Sequence, residues 1–168
     1  MVDSKQAEKP TGLRLGDTCP DFTVDSTDGE IKFHEWGSTG WTVLFSHPKD
    51  YTPVCTTELG YVCKIKGEFD KRNVKVVGLS CDSLEEHRGW IKDIEETQGV
   101  TFNFPLIADG DRRVAELYGM LHPAEAFNLV LIRSCYVIDP NHKIRLTINY
   151  PPSTGRNFDE LLRVIDSL

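Results

Sequence analysis

Two apolar runs constrain this chain most. Trp41 to Ser46 (WTVLFS) is almost continuously apolar, as expected of a strand buried on both faces. Val74 to Ser80 (VKVVGLS) is a second such run. Between them, after Pro53, residues Leu59, Val62, Cys63, Lys66 and Phe69 recur at i, i+3 and i+4, with Lys and Glu interleaved. That is a helical stripe, and Pro53 suits a first helical turn, where its missing N–H costs little. The result is a strand–helix–strand unit with its joint at residues 47–53.

The rest of the chain extends that unit. Ile31 to His34 reads as a short strand after the turn signal Asp28-Gly29. Ser83 to Thr97 reads as an amphipathic helix, with Ser83 and Glu86 at capping-box spacing. Arg112 to Tyr118 is a short helix closed by Gly119. Arg133 to Ile138 and Lys143 to Ile148 are strands joined by the turn Asp139-Pro140-Asn141-His142, hence a hairpin. Asn157 to Ser167 is a last helix with Phe158, Leu161, Leu162 and Ile165 on one face. The order β-β-α-β-α-α-β-β-α predicts an α/β layer architecture: a central mixed β-sheet flanked by helices, in the thioredoxin-like three-layer manner. A chain of 168 residues fits one domain, taken as residues 13–168 behind a polar tail at 1–12.

Composition narrows the function classes. A formal net charge of −7 argues against broad attraction to nucleic acid or anionic membrane. No apolar run approaches the roughly 20 residues of a membrane span. The N-terminus has neither the apolar centre of a signal peptide nor the acid-poor bias of a transit peptide, so the expected compartment is cytoplasmic. The five cysteines (Cys19, Cys55, Cys63, Cys81, Cys135) are odd in number and contain no C-x-x-C, which argues against a disulfide framework and against a thiol–disulfide oxidoreductase. The histidines have no zinc-type spacing, and no metal or other cofactor is expected.

The joint between the first apolar strand and its helix carries the chemistry. It reads His47-Pro48-Lys49-Asp50-Tyr51-Thr52-Pro53-Val54-Cys55-Thr56-Thr57-Glu58. A nucleophilic thiol must react as thiolate, and the first turn of a helix favours that form through its unpaired N–H groups and dipole. Cys55 falls in that turn if the helix starts near Pro53. Thr52, three residues earlier, has a hydroxyl within reach of the sulfur or of a small polar substrate bound at it. Pro48 has no N–H and would shield the sulfur from water. By itself, a cysteine near a helix start is more often buried and inert than catalytic.

The pattern Pro48-x-x-x-Thr52-x-x-Cys55 resembles the active-site signature of peroxiredoxins. The longer string SHPKDYTPVCTTELG, Ser46 to Gly60, is similar to the one-cysteine, peroxiredoxin 6-like branch. Leu15-Gly16-Asp17 leading to Pro20-x-Phe22, the stretch Lys71 to Lys75, Ser80-x-Asp82-Ser83 and Tyr150 to Glu160 resemble further family segments in the same order. The resemblance implies a thiol peroxidase acting on hydrogen peroxide and organic or lipid hydroperoxides. Cys55 would be the peroxidatic cysteine, becoming a sulfenic acid. Thr52 would hydrogen-bond thiolate and peroxide, and Pro48 would cover the sulfur. Arg133 would hold Cys55 as thiolate and stabilise the leaving oxygen. His47 would line the pocket, and Glu58 would hold Arg133. A partner set follows from the same resemblance: a hydroperoxide, an external thiol reductant such as glutathione or a thioredoxin-like protein, and a second copy in a homodimer.

Three departures sharpen this reading. There is no Val-Cys-Pro resolving motif near the C-terminus, and the last cysteine is Cys135. Cys63 lies eight residues after Cys55, about 12 Å along a helix, too far for a disulfide without unwinding. The chain ends at Leu168, where members of the branch usually continue into a further C-terminal domain. Some members are reported as phospholipases with a Gly-x-Ser-x-Gly-like motif; the matching position here is Gly40, and Ser38 and His34 do not form that elbow. The competing reading is a peroxide sensor, redox relay or chaperone-like module of the same fold, with little turnover.

Overall fold

The apolar run at Trp41 lies near the middle of the sheet. In the computed structural model, which describes residues 13–122 and 130–168, it forms β3 (Trp41–Ser46). On one side β3 pairs in parallel with β4 (Val74–Ser80); on the other it pairs antiparallel with β6 (Arg133–Ile138). Strands hydrogen-bonded on both sides and covered on both faces need apolar residues at successive positions. Accordingly Val43, Leu44 and Phe45 are all fully buried. The helix between them is α2 (Pro53–Lys71), with Thr52 as N-cap and Pro53 in its first turn.

The sheet has seven strands in the order β2-β1-β5-β4-β3-β6-β7. β1 (Thr23–Ser26) and β2 (Gly29–Lys32) form an antiparallel hairpin, turned at Gly29 with φ 98, a conformation only glycine adopts freely. β5 (Leu106–Ala108) pairs parallel to β4 and antiparallel to β1. At that seam Gly78 leaves no room for a side chain: a Cβ there would stand 2.8 Å from Leu106 Cδ2. β7 (Ile144–Tyr150) pairs antiparallel with β6, with a bulge at Val137/Ile138.

Strand alternation divides the core in two. Val43, Phe45, Val76, Cys135 and Val137 pack with Leu59 and Val62 of α2, Trp90 and Ile94 of α3 (Leu84–Gln98), and Phe158 and Leu161 of α5 (Phe158–Ser167). Leu44, Val77, Leu79, Tyr136 and Ile138 pack on the other face, with Phe33 of α1 (Phe33–Trp36) and Val114 and Ala115 of α4 (Arg113–Leu117). Each fully buried large apolar side chain contributes about 1.5–3 kcal/mol. The parity that sends Cys135 toward α2 applies equally to Arg133, two residues earlier on β6.

The element boundaries follow the sequence closely where caps are strong. Ser83 accepts a hydrogen bond from Glu86 N (3.1 Å), and Asn157 accepts from Asp159 N (3.0 Å), starting α3 and α5. The predicted strand at Ile31–His34 is corrected: the strand ends at Lys32, and Phe33 to Trp36 form one helical turn that stacks Phe33 on Phe22 at 4.5 Å. β1, β5 and the short α1 were not anticipated, so the order becomes ββαβαβαβαββα, in which α4 is the helix expected at Arg112 to Tyr118. The tail assigned to residues 1–12 lies outside the described residues. No helix among the described residues is long and apolar enough to cross a membrane.

Candidate active site

Thr52 leaves β3's connection in an extended conformation (φ −84, ψ 147), and Pro53 opens the helix. Cys55 therefore lies in the first turn of α2, as the sequence predicts, with its residue fully buried. Pro48 and Thr52 are half-buried in the connection above it. The Thr52 hydroxyl donates to Lys49 O at 3.2 Å, so it braces the loop here rather than bonding the sulfur.

Arg133 reaches the same point from the start of β6. Its Nη1 donates to Cys55 Sγ at 3.2 Å and to Glu58 Oε1 at 3.1 Å, while its Nε donates to Pro152 O at 2.8 Å. Glu58, one turn after Cys55 on α2, is held from the other side by Arg156. Arg156 Nη2 donates to Oε1 (2.6 Å), and its Nε (3.0 Å) and backbone N (2.7 Å) donate to Oε2. The three charged side chains are almost wholly buried. Burial pushes the Glu58 carboxyl up, but the hydrogen bonds and charge of Arg156, aided by Arg133, hold it below the usual carboxylate range. Arg156 is the residue that sequence reasoning missed as part of the site. It stands in the Tyr150–Glu160 segment that resembles the family, yet nothing in its spacing connects it to Glu58.

The other four thiols differ in setting. Burial pushes Cys19, Cys63 and Cys81 up to about 11 and Cys135 up to about 12. Cys63 lies on α2 with Cys55, eight residues on, and its carbonyl accepts from Asn103 Nδ2 at 3.1 Å. All five cysteines are free.

His47, at the end of β3, is fully buried and belongs to a second network. Its Nε2 lies 2.7 Å from Asp50 Oδ1, and the other carboxylate oxygen of Asp50 pairs with His87 Nδ1. His87 Nε2 lies 2.9 Å from Ile107 O. Asp82 accepts from Asp50 N (3.0 Å) and from Ser80 Oγ (2.7 Å), which fixes the loop. Burial pushes Asp50 up, but the hydrogen bonds from the two histidines outweigh it and leave its carboxyl at about 2. Burial lowers His47. Burial also pulls on His87, but the hydrogen bond and charge of Asp50 win and raise it. His47 Nδ1 is buried with no hydrogen-bond partner among the described residues. The His47 ring packs against Trp90, with centroids 4.9 Å apart, and Trp90 Nε1 donates to Thr56 Oγ1 at 3.0 Å, so this network is tied to the first turn of α2.

An open groove of about 440 Å³ runs beside that turn. Pro53, Val54, Thr57, Tyr61, Gly155 and Phe158 form its apolar wall, with Glu58 and Arg156 also lining it.

Residues 15–147 match the model of the AhpC/TSA family. The chain belongs to the AhpC/TSA family. Among curated relatives of this peroxiredoxin, the 1-Cys peroxiredoxin of Dictyostelium discoideum is 51% identical over 166 residues, covering 98% of this chain and 68% of the relative. Peroxiredoxin-6 of Homo sapiens is 49% identical, covering 95% of this chain and 74% of the relative. Among solved structures, a cysteine-to-serine mutant of the peroxiredoxin 6 of Arenicola marina superposes with a TM-score of 0.88 at 46% identity, covering 93% of this chain and 73% of that one. A yeast mitochondrial 1-Cys peroxiredoxin, described in terms of thiol resolution via glutathione and thioredoxin systems, superposes at 0.84 with 48% identity, covering 92% and 75%. This peroxiredoxin is therefore of the one-cysteine kind, a thiol peroxidase on a thioredoxin-like fold. Of the predicted residues, the fold brings Cys55, Arg133 and Glu58 into direct contact, sets Thr52 and Pro48 in the loop above, and turns His47 toward Asp50.

Proposed function

We propose that Cys55 is the peroxidatic cysteine and that Arg133 is its electrostatic partner. The observation that carries this reading is the 3.2 Å contact from Arg133 Nη1 to Cys55 Sγ. Arg133 and Arg156 against Glu58 leave one unbalanced buried positive charge, and a thiolate at Cys55 completes the balance. The thiolate attacks the terminal oxygen of ROOH. The S–O bond forms as the O–O bond breaks, giving Cys55–SOH and RO⁻, which takes a proton from solvent. Charge moves from sulfur to the leaving oxygen, so a guanidinium beside the line of attack stabilises the transition state. One external thiol then forms a mixed disulfide and releases water; a second restores the Cys55 thiol and leaves as a disulfide. Excess peroxide takes the sulfenic acid on to sulfinic acid.

The loop residues have supporting roles in the same reading. Thr52 turns its hydroxyl from Lys49 O to the peroxide when substrate enters, and Pro48 keeps water off the sulfur. Glu58 positions Arg133. His47 serves as an acceptor. The Asp50 carboxylate only accepts, so His47 Nε2 carries its proton, and in the neutral ring Nδ1 presents a lone pair to a peroxide or sulfenic O–H. The apolar groove beside α2 supports organic and lipid hydroperoxides as substrates alongside hydrogen peroxide. β7 is an open sheet edge, which supports a homodimer built by pairing two edges. Dependence on a reducing thiol, with glutathione or a thioredoxin-like protein as donor, suits a cytoplasmic setting.

Steady-state peroxide consumption tests this function against that of a sensor or relay. With glutathione or thioredoxin supplied, the wild type turns over many equivalents and Cys55→Ser none. A single rapid oxidation with no turnover by any thiol would instead favour the relay.

A further inference from the structure

Cys19, His34 and His142 converge on the face of the sheet opposite Cys55. Cys19 packs in the core cluster with Phe22, Phe33 and Tyr136, whereas Cys55 packs in the other. The three come from separate parts of the chain: the segment before β1, the start of α1 and the β6–β7 turn. Each offers one metal-ligand atom, and these atoms all lie within 4.8 Å of one another. Cys19 Sγ is 3.6 Å from His34 Nε2. With Zn–S near 2.3 Å and Zn–N near 2.0–2.1 Å, a tetrahedral ion sets that S–N edge at about 3.6 Å. The rings of His34 and His142 stand parallel, 5° apart in plane and 4.1 Å between centroids. Peroxide chemistry at Cys55 has no use for this trio.

We propose that Cys19, His34 and His142 form a binding site for a single borderline-soft divalent ion of the zinc class. Thiolate and imidazole are the ligands such ions select. Binding replaces the Cys19 S–H bond by an S–metal bond and releases the proton to solvent. His34 exchanges its contact with Cys19 O, now 2.7 Å, for the ion. A rotation of the His142 ring closes the remaining edges. Both histidines are half-buried, so the fourth position opens to water. Cys19 itself is 1% exposed, too enclosed to act as a nucleophile but placed to ligate from beneath.

The ion would lock structure that is already adjacent. Cys19 N donates to His142 O at 2.8 Å, and Thr18 bridges Lys143. Ligation would clamp the segment before β1 and α1 onto the hairpin, and ligand-linked stabilisation follows by mass action. Sequence reading missed the site because the ligands are 15 and 108 positions from His34 in opposite directions, with no local motif.

The test is titration of chelator-treated protein with cobalt(II), then with zinc, in a Cys55→Ser background that removes the peroxide-reactive thiol. Cobalt is expected to bind one equivalent with a thiolate-to-metal charge-transfer band, zinc to displace it, and zinc to raise the melting temperature. Cys19→Ser should abolish the charge-transfer band. His142→Asn keeps the left-handed turn at φ 65, which Asn tolerates, and should weaken binding by about tenfold or more. Absence of one-equivalent binding, or binding unchanged in both variants, would overturn the proposal.

Discussion

Arg133 Nη1 donates to Cys55 Sγ at 3.2 Å, joining the start of β6 to the first turn of α2 across 78 positions of sequence. The same nitrogen also donates to Glu58. If that guanidinium carries transition-state charge, Arg133→Ala should slow peroxide reduction by about 10²–10³-fold, the usual loss for an electrostatic donor. Arg133→Lys should not restore it, because a compact ammonium lacks the planar fork that reaches Cys55 and Glu58 through Nη1 and Pro152 O through Nε. Stopped-flow rates on folded protein decide the matter, and near wild-type rates in both variants would remove the role assigned to Arg133.

Glu58 is predicted to hold Arg133 and Arg156 in place. Glu58→Gln leaves Arg133 and Arg156 with only the Cys55 thiolate as counter-charge, and unpairing a buried charge typically costs about 3–5 kcal/mol. The carboxyl is held below its ordinary value of 4.5, so its contribution is full above that pH and is lost as pH falls through the depressed folded value. Denaturant melts of the wild type should show this acid loss, and melts of Glu58→Gln should show less of it.

Asp50→Asn should reverse the direction of the His87 shift. In the wild type the Asp50 bond and charge raise His87 against burial, so its contribution is full below about 6.5 and is lost as pH climbs through the raised folded value. With Asn at position 50, burial is opposed only by the bond to Ile107 O and the charge of Asp82, and His87 should titrate below its ordinary value. Histidine NMR titration reads this directly; an unchanged His87 would mean that Asp50 is not its main partner.

Thr52 offers a sharper case, because its hydroxyl faces Lys49 O at rest. Thr52→Val should slow the reaction by orders of magnitude while leaving α2 intact, and Thr52→Ser should recover most of the rate. Equal rates in Val and wild type would confine Thr52 to capping the loop.

Much of this was legible in the residues. Local signals were reliable: Pro53 marked the start of α2, Ser83 marked that of α3, the last helix began where Asn157 was placed, and the apolar runs at Trp41 and Val74 became β3 and β4. Short elements failed for a physical reason. β5 spans Leu106–Ala108, too few residues for a period to register, and Phe33 turned helical because its ring stacks on Phe22, a contact distant in sequence. The site shows the same division. Cys55, Thr52 and Glu58 share one helix start, whereas Arg156 meets Glu58 across 98 positions and only the fold discloses it. His47 stands in the legible strand–helix joint, but the network it enters through Asp50 closes on His87 of α3, 37 positions from Asp50.

The central claim is that Cys55 alone is oxidised by peroxide and is resolved from outside the chain. Intact mass after one equivalent of hydrogen peroxide with a sulfenic-acid trap tests it, on wild type, Cys55→Ser and Cys63→Ser. The account predicts one trapped adduct within seconds in wild type and in Cys63→Ser, and none in Cys55→Ser. Loss of two hydrogens without an adduct would mean an internal disulfide, and no change at all would leave Cys55 a buried structural thiol; either result would contradict the account.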